Sequence, residues 1–357
     1  MKKTKLLCGF LVMIALFSFA ACSQKAQQPA QQAATAPAAA APAAAAPATA
    51  APQIIRLGYT STENPEHPVT IAAYALRDYI NEKSNGRFDV RLFPGSQLGS
   101  GVQMFEMTQM GTLDMTIPGI PNMPMFTDAL GGMDMPYIFR GNYDLMYKAL
   151  SGPAGKEMLA NMEKDTGVKA LGYGFHVWLH FFMRNKPILS LADCRGQKLR
   201  VMESPVQQDI YSALGFSPVA VSLPDLYQAL NQGTVDGLAF DMIGGITEKY
   251  YEIIKHVTKS GHICFASVLV MSNKLFSSLS PDDQKIFLDA GAFAEQKSYT
   301  ESVRLESKYE QQLKDHGVQI HEIDLNPFYA AMQPVIDRYC AKSPRIKAFV
   351  DAVNAMR

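Results

Sequence analysis

From Gln53 onward the sequence predicts an α/β fold of two lobes, with a cleft between them and one long helix running along both. Three observations carry that prediction. Short β-type runs alternate with amphipathic helical stretches, which sets helices on the faces of a sheet. The segment from Gln53 to Arg357 is long for a single core and holds no repeat or low-complexity break. A helix signal that opens at Ser280 then meets no proline before Gly317, roughly 50 Å of helix and more than one lobe of this size is wide.

Taken in order, Ile54–Tyr59 reads as a strand, Val69–Lys83 as a helix, Phe88–Phe93 as a strand, Val102–Met110 as a helix and Leu113–Ile117 as a strand. The same rhythm returns in strands at Val168–Tyr173 and Lys198–Met202 and helices at Pro205–Leu214 and Leu223–Asn231. In the long helix, Ser280 offers an N-cap, Pro281 the first helical position and Asp283 the acidic third position. Its apolar residues (Ile286, Phe287, Ala290, Phe293, Ala294, Val303, Leu305) keep no strict heptad, and Gly291 interrupts them. A spine lying along both lobes is therefore expected in preference to a projecting coiled coil.

The first residues have a different character. Lys2, Lys3 and Lys5 precede an apolar run from Leu6 to Ala21, the pattern of an export signal spanning residues 1–21 and too short to cross a membrane comfortably. The run ends Phe19-Ala20-Ala21-Cys22, which resembles a bacterial lipobox and implies a lipid on Cys22 of the mature chain. The resulting expectation is a periplasmic lipoprotein tethered to the cell membrane or the outer membrane only through that lipid; simple signal cleavage nearby is the alternative. From Ala26 to Pro52 the chain is nearly all Ala, Pro, Gln and Thr, with nothing to bury and prolines that break helix. Residues 22–52 read as a lipid anchor and a disordered tether, about 80 Å long if extended and about 30 Å if coiled.

Removing residues 1–21 takes away three lysines and no acid, which leaves 33 − 3 = 30 basic against 33 acidic residues. A surface so balanced lacks the clustered basic face that nucleic acid requires. Cys194, Cys264 and Cys340 are widely spaced and odd in number, and read as isolated thiols in preference to a disulfide framework or a metal site. Eight methionines crowd residues 104–135, but Met104, Met107 and Met110 fall at helical spacing and read as adaptable packing, not as a copper site. His176 and His180 stand four apart in what looks like strand, and no neighbouring acid or cysteine completes a metal site. Nucleophile elbows, phosphate loops and zinc-hydrolase motifs are absent, and Gly172-Tyr173-Gly174 lacks the third glycine of a dinucleotide loop. No cofactor is expected and catalysis is the minority reading; an enzyme built on His176, His180 or Cys194 would need an orienting partner that the sequence does not supply.

Arg200 raises a sharper question. In a strand of two-residue period Lys198, Arg200 and Met202 share one face and Leu199 and Val201 the other. Glu203-Ser204-Pro205 then ends the strand, so Arg200 lies near its carboxyl end, where open α/β sheets place ligands. Two readings stand: a salt bridge to an acid elsewhere in the fold, or a contact to a bound anion.

The runs "PILSLADCRGQKLRV" and "ALGFSPVAVSLPDLYQALNQGTVDG" resemble the core of the solute-binding proteins of tripartite ATP-independent periplasmic (TRAP) transporters. Upstream, "RLFPGSQLGSGVQMFEMTQMGTLDM", "DMPYIFR" and "SGPAGKEMLA" follow in the same order, so the resemblance covers the chain from Ile54 on. It implies a periplasmic-binding-protein-like fold with lobe I at 54–177 plus 266–305 and lobe II at 178–265 plus 306–357. It also implies that Arg200 grips an organic carboxylate, which a planar guanidinium can hold through both oxygens. Where sugar-acid binders of the family carry an asparagine this chain has Phe240; where some carry a second arginine it has His180; and Leu223 replaces an aromatic.

With Trp178, these departures lead to an expected ligand that is a monocarboxylate with an apolar or aromatic body. The alternative is a C4-dicarboxylate or a sugar acid, with His180, Lys186 or His67 supplying a second cationic contact to a dicarboxylate. The expected site comprises Arg200, Trp178, His180, Phe240, Leu223, His67, Tyr227 and Glu203, near the Pro118–Ile120 turn. The expected partners are the small and large TRAP membrane subunits, served by a monomeric receptor; a ligand-sensing lipoprotein is the rival reading.

Overall fold

The computed structural model describes residues 51–357, apart from the side chains of Phe175 and His176. The export signal, Cys22 and nearly all of the tether fall outside the described residues. The chain opens β1 (Gln53–Gly58), α1 (Pro68–Lys83), β2 (Phe88–Phe93), α2 (Gly101–Met110), β3 (Met115–Thr116), a 3-10 turn at Ile120–Met125, α3 (Tyr143–Ser151) and α4 (Pro153–Thr166). It continues β4 (Lys169–Met183), α5 (Leu191–Cys194), β5 (Lys198–Val201), α6 (Pro205–Ala213), β6 (Ser217–Ala220), α7 (Leu223–Asn231), β7 (Gly237–Phe240) and α8 (Met242–Thr247). It closes β8 (His256–Met271), α9 (Asn273–Ser278), α10 (Pro281–Asp315), β9 (Gln319–His321), α11 (Asn326–Lys342) and α12 (Pro344–Asn354).

The strands form one sheet in the order β2-β1-β3-β8-β4-β7-β5-β6, with β9 added beside β8. At one end β1 pairs in parallel with β2 and β3; at the other β5 pairs in parallel with β6 and β7. Between them β4 and β8 run antiparallel along their whole length, and this long ribbon joins the two lobes. Its register shifts after Ala170, Tyr173 and Leu179, the kind of bulge that bends and twists a sheet. Alternate residues feed two cores on opposite faces: Phe181, Met183, Val268 and Val270 enter one, Phe182, Leu269 and Met271 the other.

The long helix α10 is a spine, packed on α1 at one end, β4 in the middle and α8 at the other. Ser280 Oγ accepts the Asp283 amide, so the start is capped as expected. Its buried stripe shows how it fits. Phe287, Leu305, Tyr309 and Leu313 fill space towards the ends, while Ala290, Gly291, Ala294, Ser298 and Ser302 leave the middle thin. There the helix nearly touches the ribbon: a Cβ on Gly291 would lie 2.1 Å from the Leu171 carbonyl oxygen, and Ser298 Oγ donates to the Gly174 carbonyl at 3.0 Å. Phe293 and Val303, expected on the apolar side, are exposed instead.

The strand at Val168–Tyr173 turns out to be only the start of β4, which continues to Met183, and Met115–Thr116 is all that pairs of Leu113–Ile117. Met104, Met115, Met123, Met133 and Met135 are buried packing residues. All three cysteines among the described residues are free thiols, with Cys194 and Cys264 buried.

Candidate ligand-binding site

The carboxyl ends of the parallel strands at both ends of the sheet open onto one cavity of about 870 Å³ including its mouth. One wall comes from the loops after β1, β2 and β3, with Thr60, Ser61, His67, Ser100 and Asn122. The facing wall comes from the loops after β5, β6 and β7, with Arg200, Glu203, Gln207, Ser222, Leu223, Phe240 and Asp241, and the ribbon adds Leu179 and Phe265.

Each wall loop leads straight into a helix, so the cavity is ringed by helix starts. His67 Nδ1 accepts the Val69 amide at the start of α1, Ser100 forms a capping box on α2, and Ser204 caps α6. Asp241 Oδ1 takes the Gly244 amide at 2.6 Å to cap α8. The amide ends of α1, α2, α6 and α7 give the cavity a bias towards anions.

Arg200 sharpens that bias. It lies mid-sheet, paired with Val219 of β6 and Leu238 of β7, while Leu199 and Val201 turn into the opposite core. The residue is only 4% exposed. Its Nε donates to the Val221 carbonyl at 2.9 Å, which fixes the guanidinium, and among the described residues no carboxylate lies within salt-bridge distance. Burial lowers its pKa, partly offset by Tyr250, Tyr211 and Glu203, yet a guanidinium stays protonated. The salt-bridge reading is therefore overturned: the cavity wall holds a buried cation with no counter-charge, an expensive arrangement unless an anion completes it.

Of the expected site residues, the fold gathers Arg200, His67, Glu203, Leu223 and Phe240 around the cavity and leaves three elsewhere. Trp178 packs edge-on against Tyr143 and Phe139 in the core. His180 Nδ1 accepts the Gly261 amide, and its Nε2 lies 3.8 Å from Glu306. The period of β4 turns Leu179 to the cavity and its two neighbours away. Tyr227 is on the outer side of α7, donating to Glu252. Nor does the expected second cation materialise among the lining residues: Lys186 is paired with Asp193 on the surface, and burial pulls the pKa of His67 down to about 4, so its ring is neutral near pH 7. Burial also raises Asp241 to about 6, against the hydrogen bond from Gly244.

Sequence reasoning overlooked Ser100, Asn122, Gln207, Ser222 and Asp241. A signal for most of them was present, because Ser or Asp just before a helix is a capping signature and ligands of open α/β sheets sit where helices begin.

Residues 59–343 match the family described as bacterial extracellular solute-binding protein, family 7. The C4-dicarboxylate-binding periplasmic protein DctP of Rhodobacter capsulatus is 31% identical over 72% of this chain and 78% of its own. A TRAP periplasmic solute-binding protein from Polaromonas sp. JS666, solved with D-erythronate, is 28% identical with a TM-score of 0.79 over 84% of this chain and 98% of its own. One from Sulfitobacter sp. NAS-14.1, solved with β-D-galacturonate, is 25% identical with the same TM-score and the same coverage. With its two-lobed sheet, shared spine and cleft, the chain belongs to the bacterial extracellular solute-binding protein family 7, the periplasmic receptors of TRAP transporters, and is not an enzyme.

Proposed function

We propose that the protein captures a sugar acid or a C4-dicarboxylate on Arg200 and delivers it to small and large TRAP membrane subunits for uptake driven by an ion gradient. The observation that carries this reading is the buried guanidinium in the cleft wall with no acid to neutralise it. It replaces the expected monocarboxylate with an apolar or aromatic body. That expectation leaned on Trp178, which packs in the core, whereas hydroxyls and amides of Thr60, Ser61, Ser100, Asn122, Gln207 and Ser222 line the cavity. The erythronate, galacturonate and C4-dicarboxylate named for similar proteins support the same choice.

In this reading the lobes have the boundaries 54–177 plus 266–305 and 178–265 plus 306–357, and they close by bending the β4–β8 ribbon at its bulges. Thr62 meets Glu248 through both its amide and its hydroxyl, a tie between the loop after β1 and the end of α8 that suits a closed cleft. Moving the equilibrium from 1:99 to 99:1 takes about 5.5 kcal/mol of differential binding, to which an arginine–carboxylate contact completed only on closure contributes. Cys22 would carry the lipid that holds the receptor at the membrane; among the described residues no helix is long and apolar enough to span it. Fatty-acid labelling of the cells should disappear in Cys22→Ser, and labelling that survives would refute the anchor.

The test of function is a thermal-shift panel of organic acids on the purified protein and on Arg200→Lys and Arg200→Ala. At least one sugar acid or C4-dicarboxylate should stabilise the parent, and both variants should lose that shift. Equal stabilisation of all three proteins contradicts the role of Arg200.

A further inference from the structure

Two buried amides in the cavity wall are only half used. Asn122, in the turn after β3, is 5% exposed, and Gln207, in the first turn of α6, is 2% exposed; that turn and α6 pack together. Neither Asn122 Oδ1 nor Gln207 Nε2 has a hydrogen-bond partner among the described residues. The Gln207 side chain is not free to turn, since its Oε1 already accepts the Met202 amide at 3.0 Å and so leaves the Nε2 group as the available donor. Native proteins rarely bury polar atoms this way without something to meet them.

The charges around the cavity narrow what that something is. Arg200 is the one cation among the lining residues, while Glu203 and Asp241 are acids and His67 is neutral near pH 7. One carboxylate can therefore be satisfied, but a second would face acids and amides with no cation to receive it. A hydroxyl group differs in both respects: it carries no charge, and it can donate to Asn122 Oδ1 or accept from Gln207 Nε2.

Resting on the reading of Arg200 as the carboxylate anchor, we infer that Asn122 and Gln207 are the specificity-determining pair. They bind hydroxyl groups on the body of a polyhydroxy monocarboxylate and select it over both an apolar monocarboxylate and a dicarboxylate of the same length. Sites built to hydrogen-bond a hydroxyl reject analogues that lack it, because the buried polar groups then stay unpaired.

The experiment compares three four-carbon probes, D-erythronate, butyrate and succinate, by titration calorimetry with displacement for weak binders. The purified parent is set beside Asn122→Leu, Gln207→Leu and Gln207→Glu, the last of which keeps the oxygen that holds the Met202 amide. The readout is the ratio of erythronate to butyrate affinity, from which a general weakening of the fold cancels. The parent should prefer erythronate to butyrate and succinate by about 100-fold, and each variant should cut the erythronate-to-butyrate ratio by about 10- to 100-fold. An unchanged ratio in all three variants overturns the inference, as does a parent that binds succinate as tightly as erythronate. If the acids bind without discrimination but binding is lost in Arg200→Ala, this pair fails while the carboxylate receptor stands. A parent that binds none of the three and no other acid in the panel removes both.

Discussion

At the scale of single residues, the cavity wall trades stability for function at Arg200. A buried cation without a partner costs more than an apolar side chain of similar length. Arg200→Met should therefore raise the unfolding midpoint of the ligand-free protein by about 2 °C or more, as one kcal/mol is worth about 2–4 °C in larger domains. Thermal unfolding without ligand checks this, and a clear fall would mean that the charge is already compensated. His67 makes the opposite kind of prediction. Burial lowers its folded pKa to about 4 from an ordinary 6.5, so its neutral form supports the fold above pH 6.5, and that support is lost as pH falls through 4. The loss amounts to about 3 kcal/mol. In His67→Asn, which keeps a capping acceptor on α1, the unfolding midpoint in urea should fall less between pH 6.5 and 4 than in the parent; identical pH profiles would contradict it. Arg200 was legible in the sequence because a strand-end arginine between apolar neighbours is unusual and has a physical meaning. Trp178 and His180 were misread because bulges in β4 decide which of its side chains face the cleft, and bulges depend on contacts with β8 that lie far away in sequence.

At the scale of elements, α10 was legible nearly to the residue, since its cap, its proline and its freedom from breakers are all local. What sequence could not supply was the reason for Gly291, which becomes clear only where the helix crosses Leu171. Gly291→Ala would ordinarily strengthen a helix by up to about 1 kcal/mol. Here the methyl group would meet backbone, and the account predicts a loss of about 1–3 kcal/mol by chemical denaturation. A more stable variant would show that the crossing can open. The strand β8 has no comparable local signature, because Lys259, Ser260, Gly261 and His262 interrupt its apolar pattern. Within the fold that stretch is anchored from outside: His262 bonds both Tyr211 and Ser260, and Gly261 donates to His180.

At the scale of the molecule, the cleft arises because a single sheet carries parallel strands at both ends, and the carboxyl ends of both sets face the same cavity. Two lobes and a spine could be read from alternation and length, but the shared ribbon of β4 and β8 could not, since it is made by pairing between segments some eighty residues apart in register. The central claim is that this cleft holds an organic acid by its carboxylate on Arg200. The most direct measurement is a crystal structure with the acid that gives the largest thermal shift. The account predicts both carboxylate oxygens on the Arg200 guanidinium, with the rest of the molecule towards Asn122 and Gln207. A carboxylate bound elsewhere in the cleft, with Arg200 left unpaired, would contradict it.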